Sequence, residues 1–137
     1  MIKHINHIGI AVQSLDAQVP FYRDVLGLEF LGIEEVAEQK VKVAMFRVGD
    51  AKIELLEPIH PESPIAKHLE AKGEGIHHIA YETGDVVAEI EGMKAKGLRM
   101  IDETPRGGAH GTQIAFIHPK SSGKVLTELC QSGGAHE

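Results

Sequence analysis

The chain has 137 residues, 42% hydrophobic and 25% charged, and its 14 Lys and Arg against 20 Asp and Glu give a formal net charge of −6. That length suits one domain with a real core, the acidic balance excludes a basic nucleic-acid surface, and no apolar run approaches the roughly 18 residues of a membrane span. The lone Cys130 excludes an intrachain disulfide framework, and the opening Met1-Ile2-Lys3-His4 lacks a signal-peptide apolar core, so a cytoplasmic location is expected.

Residues 4–12 are rich in Ile and Val and largely alternate, as a half-buried strand does. Ser14 or Asp16 then signals a helix, predicted over 16–26: Val19, Tyr22, Val25 and Leu26 share one face, Gly27 ends it, and Pro20 is acceptable only near the first turn. Strands are predicted at 29–36, 41–48 and 52–57, the last two joined by a tight Gly49-Asp50 turn. The linker 58–74 holds a short helix, with Ser63 as N-cap and Pro64 at its first position. The order then recurs: strand 75–82, helix 86–96 ended by Gly97, and strands 98–102, 112–118 and 124–131. The small polar tail 132–137 is expected to fray.

The recurrence extends to individual residues. Asn6-His7-Ile8-Gly9-Ile10 returns as His77-His78-Ile79-Ala80-Tyr81, and Ile53-Glu54-Leu55 as Thr127-Glu128-Leu129, with the extra length of the second copy in His118-Pro119-Lys120-Ser121-Ser122-Gly123. Two βαβββ modules, 3–57 and 75–131, are therefore expected in a single domain spanning 1–137, an α+β arrangement. Joined edge to edge into one curved mixed sheet, they would bring His7, Glu54, His78 and Glu128 to the concave side of a metal-binding cleft. Two imidazoles and two carboxylates suit Co²⁺, Ni²⁺, Zn²⁺, Fe²⁺ or Mn²⁺ and leave octahedral positions for substrate.

A lone strand His is ordinarily structural; recurrence is what distinguishes these two. His77 should face away from His78 and be structural, while His4, His60, His68 and His136 read as solvated, as do Glu57 and Glu82. The stretch Arg106-Gly107-Gly108-Ala109-His110-Gly111-Thr112 reads as a mobile active-site loop, and Lys120 and Lys124 as anion contacts.

The segments His7-Ile8-Gly9-Ile10-Ala11-Val12, Phe21-Tyr22 with Leu26-Gly27-Leu28, Lys52-Ile53-Glu54-Leu55-Leu56-Glu57-Pro58, Gly75-Ile76-His77-His78-Ile79-Ala80, and Phe116-Ile117-His118-Pro119-Lys120 through Thr127-Glu128-Leu129 carry a resemblance over nearly the whole sequence. The chain resembles the methylmalonyl-CoA epimerase family of the vicinal-oxygen-chelate superfamily, which also contains glyoxalase I. The resemblance implies the glyoxalase fold, a homodimer, an acyl-CoA substrate, and one divalent ion on His7, Glu54, His78 and Glu128, with Co²⁺ first among the metals. It implies inversion at C2 of methylmalonyl-CoA through an enolate. The paired carboxylates make Glu54 and Glu128, one or both leaving the ion, candidate base and acid, and an acidic chain's need for local cations makes Lys120, Lys124 and Arg106 candidates for the coenzyme A phosphates. Two departures stand out: many epimerases have Gln at the Glu54 position, and Val41-Lys42-Val43-Ala44-Met45 lacks the acidic residue many bacterial epimerases carry there. A glyoxalase-I-like lactoylglutathione lyase is the alternative enzyme. A non-catalytic small-molecule-binding protein of the same fold is the alternative of another class.

Overall fold

A computed structural model describes residues 1–133; the tail from 134 on, His136 included, lies outside the described residues. The chain divides into two compact units, one from His7 to His77, the other made of Met1–Asn6 with the chain from His78 onward. Among the described residues no helix is long and apolar enough to cross a membrane.

The first unit contains β1 (Ile2–Ala11, from His7 on), α1 (Leu15–Pro20), β2 (Glu29–Val36), β3 (Val41–Val48), β4 (Ala51–Pro58) and α2 (Pro64–Lys72). Its strands run in the order β2-β3-β4-β1, with β1 parallel to β4 and the others antiparallel. Alternation divides the strands into two faces. One face, with Ala44, Phe46 and Leu55, packs on Val12, Leu15 and Val19 to form the core. Ser14 caps α1, accepting from Ala17 N at 3.2 Å, and the Glu57 carboxylate accepts Leu15 N–H at 2.7 Å, so Glu57 secures a helix start and is not the solvated residue expected.

The first helix departs from the expected single α-helical run over 16–26. Pro20 has no N–H to offer the preceding turn, and the chain continues as a π-helical segment, Phe21–Val25, closed by Leu26 N–H to Phe21 C=O at 2.9 Å. The wider turn takes Val25 and Leu26 off the apolar face, leaving them 72% and 51% exposed. Gly27, at φ +71°, ends the segment as expected. In the linker, Ser63 caps α2 as predicted, and its buried residues are Ile65 and Leu69.

The second unit contains β5 (Gly75–Thr83, from His78 on), α3 (Val86–Ala95), β6 (Arg106–Gly107), β7 (Gln113–Ile117) and β8 (Thr127–Gln131). The strand order here is β1-β5-β8-β7-β6, β1 contributing its first five residues, and β5 runs parallel to β8. Its helix-side core gathers Val86, Ile90, Met100, Ala115, Ile117 and Leu129. Residues 98–102 make no strand, only an isolated bridge between Met100 and Ile117. Asp102 Oδ2 takes Phe116 N–H at 2.9 Å in place of a ladder bond, and Pro105 has no donor, so pairing resumes only at Arg106–Gly107. The last strand begins at Thr127, not 124, because Gly123 and Lys124 both turn at positive φ, 69° and 71°.

Candidate functional site

The sheet face opposite each helix-side core carries the polar residues. In the first unit the parallel register sets His7 beside Lys52 and Gly9 beside Glu54, so His7 and Glu54 share a face, two residues out of step. His7 Nδ1 lies 3.4 Å from Glu54 Oε2, and both side chains are buried. The second unit repeats this register: Ala80 lies beside Glu128, His78 stands two residues earlier, and its Nε2 is 3.0 Å from Glu128 Oε1. Both are again buried. Phe116, opposite Glu128 on β7, meets the His78 ring edge-on at 5.6 Å between centroids.

Ionisable groups so deeply buried require charged partners or a cation. Each pair sets one imidazole nitrogen against one carboxylate oxygen inside the protein. Within each unit the pair, His7 with Glu54 or His78 with Glu128, joins the nitrogen and oxygen donors that a mid-row divalent ion takes.

The remaining candidates are placed as follows. Lys120 and Lys124 are exposed, on and just after the short 3-10 turn Pro119–Ser121. Arg106 is half-buried, with Nε 3.1 Å from Asp102 Oδ1 and its guanidinium 5.5 Å from the Phe116 ring centroid. The stretch expected as a loop is a hairpin: Gly108 N–H bonds Thr112 C=O at 3.0 Å, and Thr112 N–H bonds Ala109 C=O at 3.2 Å. His110 at its tip adopts φ 57°.

Two further expectations for polar residues change. Glu82 is not solvated: it is 7% exposed and accepts from Asn6 Nδ2 at 2.7 Å, Ser132 Oγ at 2.8 Å and Ser132 N at 3.1 Å. Its position four residues after His78 on one strand, hence on the same face, is the signal that marks it. His68 is half-buried, its ring edge-on to His77 at 4.9 Å. Burial first, then the nearby Lys72, holds its protonation below the usual histidine range. His4 and His60 are exposed, as expected.

The profile of the Glyoxalase/Bleomycin resistance protein/Dioxygenase superfamily matches residues 6–116. The chain is 40% identical, over 96% of its length and 99% of the relative's, to the ethylmalonyl-CoA/methylmalonyl-CoA epimerase of Cereibacter sphaeroides. It is 38% identical to the mitochondrial methylmalonyl-CoA epimerase of Homo sapiens, over 93% of this chain and 73% of that one. Among solved structures, a variant of Streptomyces coelicolor methylmalonyl-CoA epimerase in complex with 2-nitronate-propionyl-CoA superposes with a TM-score of 0.95 at 40% identity, covering 100% of this chain and 99% of that one.

Proposed function

The chain belongs to the Glyoxalase/Bleomycin resistance protein/Dioxygenase superfamily, and from that premise we propose that it is an enzyme interconverting (2R)- and (2S)-methylmalonyl-CoA. The observation that carries the reading is its end-to-end likeness to the Streptomyces coelicolor epimerase. The two buried His/Glu pairs support it, because the reaction needs a site that withstands developing negative charge.

In this proposal His7, His78 and Glu128, with Glu54 as fourth donor, hold one divalent ion, Co²⁺ first, with Ni²⁺, Zn²⁺, Mn²⁺ or Fe²⁺ as alternatives. The donor set fits: imidazole nitrogen and carboxylate oxygen suit mid-row divalent ions, and all four side chains are buried. Such an ion supplies Lewis-acid stabilisation of charge on a substrate oxygen. The protein's own part is proton transfer. C2 is acidified by the neighbouring thioester and carboxylate, so a carboxylate oxygen of Glu54 or Glu128, released from donor duty, takes its proton and leaves an enolate, and the other Glu, starting as the carboxylic acid, gives its proton to the opposite face; exchange with solvent resets the pair. The stretch Val41-Lys42-Val43-Ala44-Met45 holds no acid for either role. Exposed Lys120 and Lys124 meet the coenzyme A phosphates as local cations on an acidic chain. The two modules act as one domain, and the enzyme works as a homodimer in the cytoplasm.

The test is to incubate metal-reconstituted protein in D₂O with methylmalonyl-CoA, with ethylmalonyl-CoA, and with the methylglyoxal hemithioacetal. Exchange at C2 and conversion of the malonyl thioesters are expected. Conversion of the hemithioacetal alone would transfer the protein to glyoxalase chemistry, and no turnover of any substrate would leave only a binding function.

A further inference from the structure

Arg106 shares a sheet face with His78 and Glu128. The register sets Arg106 opposite Ile114 and Phe116 opposite Glu128, two residues along the same strand. The guanidinium lies over the Phe116 ring, and the His78 imidazole meets the same ring, so one aromatic side chain links Arg106 to the His78/Glu128 pair. Asp102 fixes the arrangement, one oxygen on Phe116 N–H at 2.9 Å and the other 3.1 Å from Arg106 Nε. The latter distance makes an ion contact, but its angle does not make a hydrogen bond, since Nε is buried with no hydrogen-bond partner among the described residues. Yet 40% of the Arg106 side chain is exposed. The terminal nitrogens of the fork remain the donors for a ligand.

Resting on the function proposed above, we infer that Arg106 recognises the free carboxylate of a malonyl-type acyl-CoA, not a phosphate of coenzyme A, and so sets the preference for carboxylated over neutral acyl thioesters. That carboxylate sits on the reacting carbon, whereas the phosphates lie a whole pantetheine arm away. A planar guanidinium fork matches a carboxylate in two-point contact.

The experiment is calorimetric titration of metal-reconstituted protein with methylmalonyl-CoA, propionyl-CoA and coenzyme A, comparing the unsubstituted chain with Arg106→Ala and Arg106→Lys. Arg106→Ala is expected to weaken methylmalonyl-CoA about 10- to 100-fold while leaving the other two within about twofold. Arg106→Lys retains the charge without the fork and should fall between, which decides the matter if the alanine variant does not fold. Equal losses on all three ligands, or no loss on methylmalonyl-CoA, overturn the assignment. Failure of the unsubstituted chain to bind either acyl-CoA overturns the parent function, and this assignment with it.

Discussion

His78 reaches Glu128 on a diagonal: Ala80, not His78, lies directly opposite Glu128, yet Nε2 and Oε1 are 3.0 Å apart. His7 and Glu54 reproduce the relation across Gly9, at 3.4 Å. In both units the residue facing the carboxylate is small, which leaves the Glu side chain room to lean back toward the imidazole.

This spacing predicts that Ala80→Val crowds Glu128. Ala80 is 0% exposed, and overpacking at such a site costs about 1–3 kcal/mol. A fall of at least about tenfold in divalent-ion affinity is expected, out of proportion to the change in stability; isothermal titration of folded protein checks it. Unchanged affinity would show that the small residue has no part in positioning Glu128.

Glu82 should matter to stability more than a surface Glu. Its replacement by Ala leaves Asn6 Nδ2 and both Ser132 donors without their acceptor, a loss of about 2–4 kcal/mol. Glu82→Gln keeps an acceptor oxygen and should lose less. Urea unfolding with an unchanged m-value measures the difference.

His68 gives a pH dependence of defined sign. Its folded-state pKa is lowered from 6.5, chiefly by burial, so as pH falls below 6.5 the unfolded chain takes up the proton first. The His68 contribution is therefore fully present above the unfolded value and is lost as pH drops toward the folded one. His68→Gln should flatten the slope of unfolding free energy over that interval, and an NMR titration should place the imidazole below the ordinary histidine range.

Gly108→Ala tests the hairpin that carries Arg106. A Cβ there would stand 2.7 Å from Thr112 Oγ1 and 2.9 Å from Ile114 Cγ2, too close unless those side chains shift. A loss of about 1–3 kcal/mol is expected, accompanied by weaker methylmalonyl-CoA binding. Wild-type affinity in this variant would separate the hairpin from recognition.

The repeat was legible because strand alternation and turn residues are local signals: Gly49, Gly27, Ser63 and Gly97 mark element ends in the sequence and in the fold alike. The pairing of each His with its Glu was legible from the recurrence. Three features depended on contacts distant in sequence. Residues 98–102 look like a strand until Asp102 turns its carboxylate onto Phe116. Glu82 looks solvated until Asn6 and Ser132 are brought to it from 76 and 50 residues away. Val25 and Leu26 fit an ideal helical face, and the π turn after Pro20 removes them from it.

Metal stoichiometry tests most directly the claim that both His/Glu pairs serve one ion. Titration of the metal-free full-length chain with Co²⁺, followed by dialysis and elemental analysis, should give one tightly held ion per chain, with His7→Ala and His78→Ala each abolishing it. Two ions per chain, or tight binding that survives loss of either imidazole, would contradict the account.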